Sequence, residues 1–465
     1  MNEPAMSGSK RVAPRYESLP EANSRAMRAG PDLIETSVRI EVVTPILGGA
    51  ALLRNADIVD VIRTPSIRGQ LRFWWRALNG HLYESPEGLH ARESALWGRA
   101  AEVEGGRSAV ELRVAVEQTG KPDSSDIRLY DSKEGKATPG AYALWPAREE
   151  KRERRPTAPR RAPGTRFLLT LLAPSSDIKE VENVVRAWLL FGGYGSRTRR
   201  GLGAFRVLDA PTGWLPPTAA RQELERLFGR DIFAAPGTPA NDVPWLAGAA
   251  LHVGRAERNA EAAWTRALEW LKEFRQGTSS GPGGRARETG TGKLQPQRPS
   301  ISNWPEADKI RRLAGKTKAH PPRHNSTLAW PRAGFGLPII GQFQAKARDG
   351  SRLDEPGPFE LRWHEPNPNE PGKTVEHERL ASPLIIKAMP LANGEFVPIA
   401  LWLNRACPQN GEVVLRDVRD SAAPFDRLVA AGDTPRFPAL AGKQSLREAF
   451  LDWLHAKYST TVVAP

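Results

Sequence analysis

Cysteine is almost absent from this sequence, because Cys407 is the only one among 465 residues. A single cysteine excludes an internal disulfide and any zinc or iron–sulfur site built from several thiolates. Long apolar runs are missing as well, since stretches such as FLLTLLA at 167–173 are too short to cross a membrane. Residues 1–34 are polar and lack the apolar core of a signal peptide. We therefore expect a soluble, cytoplasmic protein.

Negative charge is also scarce relative to positive charge. Lys and Arg total 67 against 53 Asp and Glu, which gives a formal net charge of +14, and Arg outnumbers Lys about three to one. The planar guanidinium of Arg binds phosphate through two parallel hydrogen bonds and stacks on bases, whereas the Lys ammonium is a point charge. This excess favours a nucleic-acid partner, although a GC-rich genome also raises the Arg content.

The length and loop content of the chain predict more than one domain. A chain of 465 residues has room for two or three domains, and 41 Pro and 41 Gly predict long loops. Residues 1–35 show no apolar periodicity and are predicted to be a flexible tail. Residues 211–245 are rich in Pro and are predicted to be a linker around a short helix at 221–228.

Residues 36–210 are predicted to form the first domain. The predicted elements are, in order, a strand at 36–44, a helix at 67–78 capped by Ser66, strands at 108–117 and 164–172, a helix that opens at Asp177, and a strand at 204–208. This order is that of the ferredoxin-like split βαβ fold, an antiparallel sheet backed by two helices and a common RNA-binding scaffold. The fold by itself does not specify a function.

Residues 246–465 are predicted to form a second, elaborated domain of the same class. The predicted elements are a strand at 246–253, a helix at 261–274, strands at 337–345, 358–364, 382–391 and 396–403, and a helix at 445–458. The low-complexity segment 277–299 is predicted to be mobile. We therefore predict an α+β fold of two tandem ferredoxin-like domains with long insertions.

The helix predicted at 67–78 carries a row of Arg residues. Arg68, Arg72 and Arg76 recur every four residues, so they share one face of the helix. Arg63 precedes the helix, and no acidic residue lies between Arg63 and Arg76. Unpaired guanidiniums repel one another unless an anion neutralises them. We therefore interpret this row as a contact for RNA phosphates, and we include the adjacent Ser66 among the candidate RNA-binding residues. The alternative is a solvated face whose charges pair with acids elsewhere in the fold.

A glycine-rich loop at 192–203 is the second candidate for RNA binding. It contains several Gly and Arg residues and no acid, and Gly allows backbone N–H groups to turn toward a phosphate. The ring of Tyr194 is predicted to stack on a base. The shorter loop PILGGA at 45–50 exposes backbone in the same way. The alternative is a hairpin that its Arg residues only keep soluble. The candidate loop residues are Gly48, Gly49, Gly193, Tyr194, Gly195, Ser196, Arg197, Thr198, Arg199, Arg200 and Gly201.

No catalytic motif is visible in the sequence, and we predict no metal and no cofactor. AGKT at 314–317 resembles the end of a phosphate-binding loop, but Ile310 replaces the first glycine that such a loop needs. His320 and His324 have the spacing of a metal pair, but the two prolines between them prevent the necessary helix. A further alternative is that Asp57 and Asp60, in the loop before the first helix, hold a metal or act as a base beside bound RNA.

Three segments together resemble the RAMP proteins of CRISPR systems, and within them the first-numbered RAMP subunits of type III-B Cmr effector complexes. They are TPILGGA at 44–50, IRTPSIRGQLRFWWRAL at 62–78 and FGGYGSRTRRGLGAF at 191–205. Segments of the second half, at 301–315, 335–340 and 379–403, are similar to the C-terminal part of those subunits. The tail, a basic insertion at 148–166 and the segment 277–299 are additions to the family pattern.

The resemblance implies two ferredoxin-like domains in a multi-subunit particle loaded with a guide RNA. It also implies a position near the 3′ end of the guide, a role in capturing complementary target RNA, and cleavage by other subunits. The predicted partners are therefore guide RNA, target RNA and other RAMP subunits, without a membrane. Two alternatives stay open: a RAMP endoribonuclease that uses Asp57, Asp60 or a histidine, and a scaffold that contacts only proteins.

Overall fold

The computed structural model describes residues 32–49, 54, 60–99, 105–129, 137–150, 153–276, 304–318, 322, 324, 329–343, 354–408, 410–425, 427–428 and 437–465. No helix among these residues is long and apolar enough to span a membrane. The predicted mobile segment 277–299 and nearly all of the predicted tail lie outside the described residues.

The N-terminal unit is built on a four-stranded antiparallel sheet. Its elements are β1 (Leu33–Val42), β2 (Ile46–Leu47), α1 (Thr64–Asn79), α2 (Pro86–Trp97), β3 (Glu111–Gln118), β4 (Pro122–Asp123), α3 (Ala141–Leu144), β5 (Arg160–Arg161), β6 (Thr165–Pro174), α4 (Ile178–Phe191) and β7 (Phe205–Val207). The strand order in this first sheet is β3-β6-β1-β7, and α1 and α4 pack on one of its faces. Val38, Ile40 and Val42 alternate along β1 toward those helices, as the sequence pattern predicted.

The C-terminal unit also contains a four-stranded antiparallel sheet. Its elements, after α5 (Arg221–Phe228), are β8 (Trp245–Val253), α6 (Ala260–Gln276), α7 (Pro305–Leu313), β9 (Ile339–Gly341), β10 (Phe359–Pro366), β11 (Thr374–His377), β12 (Leu384–Pro390), β13 (Phe396–Asn404), β14 (Glu412–Leu415), α8 (Leu446–Tyr458) and β15 (Thr461–Ala464). The second sheet has the antiparallel order β12-β13-β8-β15. The observed class is therefore a mixed α/β protein with antiparallel sheets.

Two smaller sheets elaborate the units. In the C-terminal unit, β11, β10 and β14 form a separate sheet, and β9 pairs with β10. In the N-terminal unit, β2, β5 and β4 form a three-stranded sheet that contains part of the basic insertion at 148–166. Arg160 is buried there and pairs with Asp123 at 2.8 Å, and Arg161 donates to the carbonyl oxygen of Gly120. These two insertion residues are therefore internal ties and are not free surface charges.

The second sheet is buried on both of its faces. Ile385 and Met389 of β12 join the core that contains α1 and α4, whereas Leu384 and Ile386 join the core beneath α6 and α8. The molecule thus stacks four layers: the first sheet, helices α1 and α4, the second sheet, and helices α6 and α8. This explains why β12 is an unbroken apolar run apart from Lys387, because a strand covered on both faces has no polar face.

The segment between the two sheets is packed and not a loose connection. It was predicted as a linker at 211–245, and its helix at Arg221–Phe228 has the predicted bounds. Trp214, Leu215 and Phe233 are all buried in the core that the two units share. The segment therefore helps to hold the units together.

The predicted starts of α1 and β1 are wrong. Helix α1 begins at Thr64, so its N-cap is Arg63, and Ser66 lies inside the first turn, where it does not cap the helix. Pro at the start of α1 explains the shift, because its fixed φ angle suits the first helical turn. Strand β1 begins at Leu33, three residues inside the predicted tail, because its partner β6 extends to Pro174 and continues the pairing.

Candidate nucleic-acid interface

The three N-terminal segments singled out in the sequence meet at one end of α1. The backbone N–H of Ser196, in the glycine-rich loop, donates to the carbonyl oxygen of Leu47 at 2.7 Å. The backbone N–H of Arg63, at the start of α1, donates to the Tyr194 hydroxyl at 2.8 Å. The loop after β1, the first turn of α1 and the glycine-rich loop therefore form one continuous surface.

Glycine is required where the two loops touch. Gly48 has φ +74°, and a Cβ there would lie 2.6 Å from the Ser196 hydroxyl. Gly195 has φ +88°, and a Cβ there would lie 2.9 Å from the carbonyl oxygen of Leu47. Any L side chain at either position would be strained in its backbone and would push the loops apart. These glycines therefore allow the backbones of the two loops to come into contact. A binding surface formed by loop backbone requires this close approach.

The outer part of this surface is polar and cationic. Ser66, Ser196 and Arg197 are exposed, and Gly49 and Arg63 are half-buried. Among the described residues, no ion pair joins Arg63 or Arg197 to a carboxylate. Gly193 and Gly201 are buried beneath this surface, and Thr198 is half-buried. The surface called the loop tip below consists of Gly48, Gly49, Arg63, Ser66, Ser196 and Arg197, and it can offer hydroxyls, guanidiniums and backbone N–H groups to an anion.

Tyr194 has a structural role in this conformation and does not present its ring to solvent. Its side chain is only 2% exposed, and its hydroxyl accepts the backbone hydrogen bond from Arg63. Burial raises the pKa of this phenol. The prediction that the ring stacks on a base is therefore wrong for this conformation, because the core of the N-terminal unit covers the ring.

Arg199 and Arg200 point away from the loop tip and bind the C-terminal unit. The Arg200 guanidinium donates to the carbonyl oxygen of Leu384 at 2.8 Å and to the Ser382 hydroxyl at 3.3 Å, and Arg199 donates to the carbonyl oxygen of Ser382. Burial lowers the pKa of Arg200 to about 9 and that of Arg199 to about 10, so both stay charged at neutral pH. In this structure they fasten one unit to the other and do not cradle a phosphate.

Lys387 forms a second tie between the units. It is fully buried in β12, and its ammonium nitrogen donates to the carbonyl oxygens of Gly192 at 2.7 Å and Leu189 at 3.3 Å, at the C-terminal end of α4. A cation is favoured at a helix C-terminus, where carbonyl groups lack partners within the helix. Burial nevertheless lowers the pKa of Lys387 to about 7.

The Arg row on α1 is divided between two roles. Arg72 and Arg76 both bind the carboxylate of Glu93 in α2, and the Arg72 contact is 2.7 Å long. Glu93 is only 4% exposed, so this cluster fixes α2 on α1. For Arg72 and Arg76, the alternative that acids elsewhere in the fold neutralise the row is the one observed. The sequence misses it because Glu93 lies beyond the helix, in an element that was not predicted.

Arg68 differs from its neighbours in the row. It is half-buried, and among the described residues its guanidinium donates two hydrogen bonds of 3.4 Å, to the carbonyl oxygens of Trp97 and Val110. Burial and the charge of Arg72 lower its pKa. It lines an open cleft of about 730 Å³ together with Arg72 and Arg107. Arg68 therefore remains a candidate for an anion contact.

The outer face of the first sheet does not resemble the RNA platform of RRM domains, which stack bases on aromatic side chains. The aromatic residue of β6, Phe167, points into the core. Charges on the outer face neutralise one another, since Arg39 binds Glu117 at 2.8 Å and Arg166 binds Glu41 at 3.1 Å. Among the described residues, this face therefore offers no aromatic ring of β6 for stacking, and these two Arg residues are already paired.

The candidate catalytic residues do not assemble into a site within the described part of the chain. No group of three His, Cys, Asp or Glu residues that could hold a metal occurs among the described residues. Asp57 and His320 lie outside them, and Asp60 is exposed beside α1. His324 is buried, with Nδ1 2.7 Å from a carboxylate oxygen of Asp308.

Proteins of known identity resemble this chain. The CRISPR system Cmr subunit Cmr1-1 of Pyrococcus furiosus is 31% identical to it over 152 residues, which are 32% of this chain and 41% of that protein. The aligned stretch thus spans about two fifths of that relative. The crystal structure of apo Cmr1 from Pyrococcus furiosus aligns at 16% identity with a TM-score of 0.49 and covers 93% of this chain and 99% of that one.

A chain from the cryo-EM structure of the type III-B Cmr-beta bound to cognate target RNA aligns at 12% identity with a TM-score of 0.40, covering 80% of this chain and 94% of that one. The model of the RAMP superfamily matches residues 39–206, the stretch that contains α1 and the glycine-rich loop. The resemblance predicted from the motifs is therefore confirmed: residues 39–206 match the RAMP superfamily, and over 152 residues the chain is similar to a Cmr subunit of Pyrococcus furiosus.

Proposed function

We propose that this protein is a non-catalytic RNA-binding subunit of a type III-B CRISPR effector complex, next to other RAMP subunits, and that the loop tip is its principal RNA contact. The observation that carries the proposal is the cationic surface beside the start of α1, to which Arg63 and Arg197 both belong, neither with an ion-pair partner among the described residues. Contacts of this kind bind phosphates and do not read bases.

A charge-based contact suits a complex in which base pairing supplies the specificity. The guide RNA would read the target, and the protein would contribute charge and shape. We place the protein near the 3′ end of the guide, where it would help to capture complementary target RNA. This placement can be tested by photocrosslinking in a reconstituted complex, with a photoreactive uridine placed either near the 3′ end or near the 5′ end of the guide.

We also propose that the two units are tandem ferredoxin-like domains. Each has the order strand, helix, strand, strand, helix, strand when the inserted elements are set aside. In each sheet the first strand is central, as in β3-β6-β1-β7 and β12-β13-β8-β15. The strands of the two units follow the chain in the same order across their sheets, although the two sequences differ. This correspondence supports the interpretation.

Filter binding with single-stranded RNA across a salt series tests RNA binding by the loop tip. We expect R197Q to weaken binding about tenfold and to reduce the slope of log K against log salt by about 0.7, the value for one phosphate contact on a single strand. R63Q should act in the same direction. The matched control is R226Q, because Arg226 has a 72% exposed side chain on α5 and pairs with Glu223.

The same titration, resolved on a denaturing gel with and without Mg²⁺, separates the alternatives. Intact RNA with salt-sensitive binding supports the proposal. RNA cleaved by the purified protein would support the endoribonuclease alternative. Wild-type affinity in both R197Q and R63Q would remove the loop tip from the RNA site, and an absence of RNA binding combined with assembly into the complex would support the protein-only scaffold.

A further inference from the structure

Trp264 of α6 is the point where three segments of the chain meet. Its indole N–H donates to the carbonyl oxygen of Arg200 at 2.7 Å. A Cβ on Gly201 would lie 2.4 Å from its ring, and a Cβ on Gly140, just before α3, would lie 1.9 Å from it. The Trp264 ring therefore packs between the glycine-rich loop and the start of α3. This packing places the residues that adjoin Gly201 and Gly140 next to α6.

One of these neighbours, Tyr142 of α3, contacts the last turn of α6. The Arg275 guanidinium donates to the Tyr142 hydroxyl oxygen at 3.2 Å and lies over the ring of Phe335, 5.5 Å from its centre. The Nε of Arg275 is buried and has no hydrogen-bond partner among the described residues. Because the Tyr142 oxygen accepts from Arg275, its own O–H remains available to donate.

Positive charge accumulates at this junction without a matching acid. Although the Arg197 side chain is exposed, partial desolvation of its guanidinium and the charge of Arg275 lower its pKa, and burial and the charges of Arg275 and Arg197 contribute to the lowered pKa of Arg200. In the part of the chain that the structure describes, no carboxylate forms an ion pair with Arg197 or Arg275. Clustered guanidiniums of this kind favour a bound anion, since an anion within a few ångströms offsets their repulsion.

We infer that Tyr142 and Arg275 form, together with Arg197, a phosphate-binding site at the junction of the two units, and that one RNA strand runs from the loop tip across this site onto α6. The guanidiniums supply charge-assisted hydrogen bonds to a phosphodiester, and the Tyr142 hydroxyl donates a neutral one. The inference rests on the proposed function, because it extends the same RNA path by one step.

The test uses the full chain and a single-stranded RNA that is radiolabelled internally and has hydroxyl groups at both ends, so that only phosphodiesters are offered. We expect R275Q to weaken binding about tenfold and to reduce the salt slope by about 0.7, because it removes one charge from a phosphate contact. Y142F should weaken binding about threefold and leave the slope unchanged, because the hydroxyl is uncharged. R275K should keep most of the wild-type slope, and R226Q is the matched control.

The outcomes separate this inference from the proposed function. If R275Q, R275K and Y142F all bind as R226Q does while R197Q binds weakly, RNA does not cross the junction, and the loop tip keeps its role. If R197Q and R63Q also bind normally, the loop tip is not the RNA site either. Because Arg275 packs on Phe335, a urea titration checks each variant for folding, and if R275Q is unfolded, wild-type binding by both R275K and Y142F overturns the inference.

Discussion

The two halves of the glycine-rich loop use the same residue type for opposite purposes. Arg197 is exposed at the loop tip, whereas Arg199 and Arg200, two and three positions later, donate to Ser382 and Leu384 of the C-terminal unit. One half is free to meet a ligand, and the other is engaged in holding the protein together. Composition alone therefore overestimates how many of the Arg residues in a basic loop are available to nucleic acid.

The same division occurs along α1. Arg72 and Arg76 share the buried carboxylate of Glu93, whereas the contacts of Arg68 with the described residues are long ones to carbonyl oxygens at the edge of a cleft. In both places the cations that act as ties have a partner from a distant part of the chain, Glu93 for Arg72 and Arg76 and the start of β12 for Arg200. The presence of such a partner therefore separates a tie from a candidate contact.

The largest expected effect comes from breaking the buried half of the loop. Arg200→Ala should lower the free energy of unfolding by about 3 kcal/mol, because it removes the two hydrogen bonds by which the buried guanidinium holds Leu384 and Ser382 of the C-terminal unit. Arg197→Ala should change it by less than about 0.5 kcal/mol, as exposed substitutions usually do. Urea unfolding at neutral pH measures both, and equal losses would contradict the division of the loop.

The next effect concerns the tie between α1 and α2. Glu93→Gln should cost about 2 kcal/mol, because it leaves two partly buried guanidiniums without their anion. Glu111→Gln is the matched control, since Glu111 has a 46% exposed side chain and pairs with Arg113 at the surface. If both variants unfold at the wild-type urea concentration, Glu93 does not anchor α2.

A smaller, pH-dependent effect is expected from Lys387. Its pKa is about 7 in the folded protein against 10.5 for an ordinary Lys, so the unfolded chain binds more protons between these two values. The free energy of unfolding should therefore rise with pH across this range, by about 1 kcal/mol per pH unit from this group. Lys387→Met should remove that contribution. The measurement is the difference between wild type and variant at neutral and mildly alkaline pH, and parallel pH profiles would contradict the prediction.

The smallest effect is expected on the outer face of the first sheet. Arg113→Gln and Arg166→Gln remove charges that pair with Glu111 and Glu41, so RNA affinity and its salt dependence should stay within about twofold of wild type. Filter binding beside R197Q measures this directly. A loss comparable to that of R197Q would move the RNA site from the loop tip to the sheet.

The sequence pattern predicted those elements whose formation depends on residues close together in the chain. Helix α5 has the predicted bounds, and α4 follows its predicted opening at Asp177, because apolar spacing at helical period is a property of neighbouring residues. Helix α2 was missed, although Ser85 before Pro86 carries the signal of a capped helix start. Strand β15 was missed because its four residues gain order only by pairing with β8.

The candidate site was predicted in outline but not in its details. The motifs at 44–50, 62–78 and 191–205 do converge, as a set of loops around one helix end. Whether Arg199, Arg200 and Tyr194 are buried or exposed depends on contacts with segments far away in sequence. One example is Ser382, which follows Arg200 by 182 positions. No local pattern contains that information.

The second sheet lies between two layers of helices, and this determines whether the two units can be expressed as separate fragments. Helices α1 and α4 rest on the first sheet with one side and on β8 and β12 with the other, so each unit completes the hydrophobic core of its neighbour. A fragment ending near residue 210 would leave the far sides of both helices in water, and exposed apolar surface of that extent promotes aggregation. The two halves are therefore one cooperative folding unit, and neither is expected to behave as an autonomous module when it is expressed alone.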